Sequence, residues 1–179
     1  MKIYEPMVAN GYEWVNAVHP DDYEMFLQFD GLPRAHVWKP VLVRRVRADK
    51  RSVARESDFP WLGGHVLILR RRALDCLADL IAECGEALPL ATEDGTELFL
   101  LNIRKVDALD ENESVLVRFP SSEKIMRIKK VAFVREAIVG LDLFRLPLRS
   151  GTTYVSERFV QRVRDCGLLG LEFTEAWSG

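Results

Sequence analysis

Much is missing from this sequence, and each absence narrows what the chain can be. Only three cysteines occur among 179 residues, Cys76, Cys84 and Cys166. An odd, sparse set fits a reducing cytoplasm rather than a disulfide-built scaffold. Cys76 and Cys84 fall eight residues apart on one expected helix, about 12 Å along its axis and too far to bridge. No apolar run approaches the ~18 residues of a membrane-spanning helix. The start, Met1-Lys2-Ile3-Tyr4-Glu5-Pro6, lacks the apolar stretch of a secretory signal. An excess of one charge is missing too: 25 Lys and Arg stand against 27 Asp and Glu, a net of −2. That disfavours a dedicated nucleic-acid binder, whose domain is usually strongly basic.

Catalytic signatures are equally scarce. The histidines His19, His36 and His65 sit in no metal-ligand spacing with Cys or each other. No Gly-x-Ser-x-Gly elbow and no phosphate-cradling glycine loop occurs. Gly63-Gly64 precedes an expected strand rather than following one, unlike a dinucleotide fingerprint. The cysteines fall at apolar helix positions or near helix ends, where Cys behaves as a small hydrophobe rather than a nucleophile. No cofactor is expected.

What is present is ordinary globular material, 48% hydrophobic and 29% charged, in a length that suits one domain over 1–179. The clearest helix spans 72–84, where Leu74, Leu77, Leu80, Ile81 and Cys84 share a stripe and Gly85 follows. A second helix spans 156–166, with Ser156 as its N-cap and Gly167 after it. Strands are expected at 35–47, 65–69, 86–90, 97–104, 115–119, 125–134, 138–147 and 170–173. The 65–69 run is apolar enough for burial on both faces, and Asp94-Gly95 marks a hairpin turn. Residues 1–30 show no regular pattern beyond a turn at His19–Asp22 and a short helix through Met25 and Phe26. Residues 47–58 and 107–114 read as loops. The irregular order of elements predicts an α+β fold, a mainly antiparallel sheet with two principal helices packed on it.

The neutral total hides strong segregation. Residues 1–33 carry one basic and six acidic groups, and 34–72 carry eleven basic and three acidic. Residues 73–113 carry two basic and eleven acidic, and 114–135 six basic and one acidic. Such blocks either fold against one another or steer a partner of opposite charge. Arg70-Arg71-Arg72 is expected to pair with nearby Asp75 or Asp79, or to be solvated, rather than to bind phosphate. Asp107, Asp110, Glu111 and Glu113 form an acidic loop with three readings. These are a solvated turn, a surface for a basic cleft on another protein, and a divalent-metal site of a small enzyme. Trp61, between Pro60 and Gly63, is the tryptophan expected at the surface as a binding anchor.

A series of short motifs runs through the second part of the chain. Ser57-Asp58-Phe59-Pro60 leads to the strand His65–Leu69 and the helix Ala73–Cys84, then Gly85-Glu86-Ala87-Leu88-Pro89-Leu90. Leu98–Asn102 leads to Val106-Asp107-Ala108-Leu109-Asp110 and Ser114. Leu143-Phe144-Arg145-Leu146 is followed by Tyr154-Val155-Ser156-Glu157-Arg158-Phe159. Cys166-Gly167-Leu168-Leu169-Gly170-Leu171-Glu172-Phe173 then leads to Trp177. In order and spacing these resemble a bacterial immunity-protein family encoded beside polymorphic toxin genes, of myxobacterial type and formerly a domain of unknown function. Arg70-Arg71-Arg72 departs from it, since the family often has a capping Ser there. Residues 58–179 carry the resemblance, and 1–57 match little. It implies a cytoplasmic, non-enzymatic protein that binds one cognate toxin and occludes its active site. The toxin-binding residues expected from charge and composition, not from the resemblance, are Asp107, Asp110, Glu111, Glu113 and Trp61. Asp107 and Asp110 also belong to the family pattern, where they could instead hold the loop's own turn. No nucleic-acid or membrane partner is expected.

Overall fold

The computed structural model describes residues 1–46, 54–148 and 151–179. Most of the expected loop at 47–58 therefore lies outside the described residues. In chain order the elements are β1 Lys2–Val8, β2 Trp14–Ala17, α1 Pro20–Leu27, β3 Leu42–Val46, β4 Ile68–Arg70, α2 Arg71–Ala82, β5 Gly85–Thr92 and β6 Leu98–Ile103. They continue as β7 Val115–Arg118, β8 Ile125–Lys130, α3 Arg135–Ile138, β9 Leu143–Arg145, β10 Thr153–Ser156, α4 Glu157–Asp165 and β11 Leu171–Ser178. Three sheets result, in orders β11-β1-β10-β9, β2-β3-β5-β6-β4 and β7-β8. All pairs are antiparallel except β3 with β5. The expected α+β class is observed.

Local pattern accounts for the helices. In α2, Ala73, Leu77, Leu80 and Ile81 recur at three- and four-residue spacing and are buried, while Arg70 at the N-cap offers no side-chain cap. In α4, Phe159, Val160 and Val163 are buried. The Ser156 hydroxyl accepts from the Phe159 amide at 3.1 Å and donates to Asp142 at 2.6 Å. Replacing Ser156 by alanine is expected to cost about 1–2 kcal/mol, read as a lower urea midpoint, because a helix N–H loses its acceptor and Asp142 loses one donor while keeping Arg158. Gly167 has φ +59° and ends α4 in the left-handed region, as expected. Gly85 does otherwise. It opens β5 without a positive φ, and a side chain there would collide with the Asn102 carbonyl.

The 65–69 segment is buried on both faces. Leu67 and Leu69 join a core with α2 and α4, and Val66 and Ile68 join another with β3, β5 and β6. β5 and β6 form the expected hairpin, with Gly95 at φ +75° in its turn. A third core gathers Ile3, Ala108, Val131, Phe133, Phe144 and Tyr154.

Several expectations are corrected. Residues 2–8 are not irregular: β1 lies inside the first sheet, between β11 and β10. Pro6 is opposite Phe173 of β11 but has no partner on the β10 side, where pairing stops at Tyr4, so β1 is an edge there. The turn expected at His19–Asp22 is instead the start of α1, with Pro20 its first residue. The strand expected at 138–147 is interrupted, since α3 takes Arg135–Ile138 and Gly140 turns the chain at φ +81°. The strands expected at 35–47 and 125–134 shrink to β3 and β8, and the last one lengthens to β11. A disulfide is present after all. Helices α2 and α4 pack together and place Cys76 and Cys166 with Cα atoms 6.7 Å apart, 90 residues distant in sequence. Spacing along one helix could not reveal that pair.

Candidate partner-binding surface

The acidic loop is built on a frame of backbone bonds. The Asp110 amide donates to the Ala132 carbonyl at 3.0 Å, and Val134 N–H reaches the Ala108 carbonyl at 2.9 Å. Ser114 closes the loop, accepting from Ala132 N–H at 2.8 Å and donating to the Ala132 carbonyl at 3.3 Å. These bonds clip residues 108–114 to the segment that leaves β8. Asp110 itself holds the turn, since its Oδ1 accepts from the amides of Asn112 and Glu113 at 3.0 and 3.2 Å. Glu111 pairs with Arg118 on β7. Asp107, Glu111 and Glu113 are exposed, and Asp110 is half-buried.

Against this loop lies a cleft of about 520 Å³. Its lining includes Asp110 and Glu113 of the loop, Lys130 and Phe133 of the segment after it, and Glu175 and Trp177 of β11. Trp177 is held edge-on to Phe133 with centroids 5.7 Å apart, and Glu175 pairs with Lys2 of β1 at 2.8 Å. The cleft therefore joins two of the four expected carboxylates to a third, Glu175, that lies more than sixty residues away. Lys130, Glu175 and Trp177 escaped the sequence reading, because no local pattern links β8 or β11 to the 107–113 loop. Among the described residues, no three His, Cys, Asp or Glu side chains are grouped to hold a metal ion. The metal-enzyme reading of the loop thus finds no ligand set there.

Trp61 does not stand at the surface. It is only 5% exposed, packed in the core beside Phe59 and Leu67, with Trp14 edge-on at 6.3 Å. The more open ring is Trp14, at 45% exposure. Flanking Pro and Gly suggested a turn, but the Trp61 amide and carbonyl both bond to the β2 region, through Glu13 and Val15.

Folding pairs five arginines of the basic block 34–72 with carboxylates. Arg45 and Arg70 each reach buried Glu13 at 2.7 Å, and Arg34 reaches Asp30 at 3.2 Å. Arg71 pairs with Glu97 at 3.2 Å and more loosely with Asp75 at 3.8 Å, and Arg72 pairs with Asp58 at 3.1 Å. The triple arginine is thus paired internally, but of the two expected partners only Asp75 takes part, since Asp79 pairs with Arg162 at 2.8 Å.

His65 is structural, yet its Nε2 is buried and has no hydrogen-bond partner among the described residues. Burial, with the Arg145 charge adding, pushes its imidazole down to about 4. An unfolded chain would protonate near 6.5. Between these values the unfolded state binds the extra proton, so stability should fall as pH drops from about 6.5 towards 4, by up to ~1.4 kcal/mol per pH unit. Urea midpoints measured across that range check this, and His65→Gln should flatten the profile. Cys84 is buried and accepts from the Leu143 amide at 3.4 Å, an inert setting for a thiol. No helix among the described residues is long and apolar enough to cross a membrane.

Comparison with known proteins adds one match. Residues 90–178 match the model of the Immunity protein family (Imm11). The motifs from Ser57 to Pro89 lie outside that match, whereas the whole cleft lies inside it. No curated protein matches the chain.

Proposed function

Since the chain belongs through residues 90–178 to the Immunity protein family (Imm11), we propose that it binds one cognate toxin effector and neutralises it by covering its active site. The reading is of a binding protein, not an enzyme, protecting the producing cell and its kin during contact-dependent or type VI secretion competition. The family match is the observation that carries it. Residues 1–179 act as one unit in this reading, because β1 from the unmatched part lies between β10 and β11 of the matched part.

The acidic loop is proposed as part of the contact, through Asp107, Asp110, Glu111 and Glu113, of which Asp110 and Glu113 line the cleft. Trp61 drops out of the proposed surface on account of its burial. Asp107 and Glu113 make the better probes, because Asp110 and Glu111 are engaged within the chain. Reversing both, Asp107→Lys with Glu113→Lys, should slow toxin association about tenfold at low salt and leave the thermal midpoint unchanged. Equal rates at every salt concentration would remove the loop from the interface.

The test of the function is co-expression with the toxin encoded beside the gene. Growth should be restored and a complex should survive gel filtration. A toxin that still kills, with no complex, refutes the reading. The proposed compartment is the cytoplasm. The Cys76–Cys166 link bears on it, since disulfides persist in oxidising compartments. A reducing cytoplasm would open that link, so alkylation during the unfolding of acid-quenched cells should label Cys76, Cys84 and Cys166 alike. Only Cys84 reacting after unfolding would place the protein outside the cytoplasm.

A further inference from the structure

We infer that the β7–β8 hairpin is a docking arm and that it takes an acidic, partly apolar protein surface. The inference rests on the immunity reading, in which that surface belongs to the toxin.

The hairpin stands apart from the rest of the fold. Its two strands join neither of the other sheets, so each has a free edge among the described residues. Cross-strand partners share a face. Leu116 pairs with Ile128 and Arg118 with Ile125, and all four are half-buried, with Ile128 packed on the third core. The opposite face carries Val115, Val117, Arg127 and Lys130. Two register shifts leave Met126 and Lys129 as extra, exposed residues.

Most of its cations have no carboxylate partner among the described residues. Arg118 is occupied by Glu111 and Glu123. Lys124, Arg127, Lys129 and Lys130 are exposed and make no side-chain hydrogen bond or ion pair among the described residues. The contrast with the 34–72 block is direct. There, five arginines meet carboxylates within 3.2 Å. A partner with acidic groups would complete the hairpin as Glu13, Asp58 and Glu97 complete the earlier block.

Apolar groups sit among these cations. Val115 is 49% exposed, Phe119 46% and Met126 53%. This mixture favours a protein over a nucleic acid. Phe119 is the hairpin's only aromatic ring for base stacking, and a phosphate backbone would leave Val115 and Met126 in water. A protein edge strand can add to a free hairpin edge while its acidic side chains meet the lysines.

The test uses the purified toxin domain encoded beside the gene and two variants of the full chain. In K124E/R127E/K129E, association should slow by ~10–100-fold at low salt and lose the wild type's decline with added salt. In F119S/M126S, the association rate should hold while dissociation quickens ~10-fold. Both variants change exposed residues, and unchanged circular dichroism confirms their fold. If the wild type binds toxin and both variants bind alike, the docking arm is wrong and the immunity reading stands. If the wild type neither binds nor protects, both fall. Tighter binding to single-stranded RNA or DNA than to toxin overturns the choice of partner. A wild-type dimer that both variants dissociate would assign the arm to a second copy of the chain instead.

Discussion

Replacing Glu13 by alanine is expected to remove about 3 kcal/mol of stability, one of the largest effects of any single polar substitution here. Glu13 is 2% exposed and holds three donors at once. Arg45 Nε and Arg70 Nη2 donate to its carboxylate at 2.7 Å, and the Ser57 amide donates at 3.0 Å. Arg45 is 45% exposed and can turn to water, so its share of the loss is small. Arg70 is 16% exposed and keeps the Ser57 carbonyl and Glu56 as partners but loses its bond to a buried carboxylate, while the buried Ser57 amide is left unsatisfied. The effect is read from urea unfolding, where a midpoint within error of wild type would contradict this account. Glu13→Gln keeps one acceptor oxygen and the shape, and should lose roughly half as much. A double-mutant cycle with Arg70→Ala separates the pair from the Ser57 bond, since residues in direct contact do not add.

Phe133→Ala is expected to cost about 3–5 kcal/mol and to open the lining of the acidic cleft. The ring is 3% exposed and meets Tyr154 at 4.9 Å, Phe144 at 5.2 Å and Trp177 at 5.7 Å between centroids, each edge-on. Truncation removes these contacts and leaves a void that three fixed rings cannot fill. Trp177 then loses the neighbour that orients it in the cleft lining. Calorimetry should show the lower transition temperature. Toxin binding measured well below that transition should weaken as well, if the cleft belongs to the interface. Phe133→Leu keeps most of the volume and should cost less than half as much. A loss of stability below ~1 kcal/mol for the alanine variant would show that the aromatic cluster collapses around the gap.

How far the fold was legible follows from the range of the forces involved. The stripes of α2 and α4 and the β5–β6 hairpin are short-range, set by residues three to four apart or by one Asp-Gly turn. All three were readable. β1 was not, because its partners are residues 155–156 and 171–178, and no window around Lys2–Val8 contains them. Gly85 shows the same limit on a smaller scale. A glycine after a helix suggests a left-handed cap, yet its place is set by the Asn102 carbonyl across the hairpin. Among the candidate residues, Asp110 and Glu113 line a cleft as the loop reading allowed. Trp61 was misplaced because neighbouring Pro and Gly report backbone shape, not what covers a side chain.

The sequence by itself determined the α+β class, both principal helices and the immunity family resemblance. Each is written in local periodicity or in motif order, which the chain carries before it folds. Only the tertiary structure decided which charges cancel. Arg45, Arg70, Arg71 and Arg72 meet Glu13, Asp58 and Glu97 because the packing beside β2, β4 and β6 brings them within hydrogen-bond distance. The 114–135 cations stay largely unpaired because their hairpin leaves both sheets. Coulomb attraction depends on separation in space, and for residues tens of positions apart that separation exists only once the chain is folded.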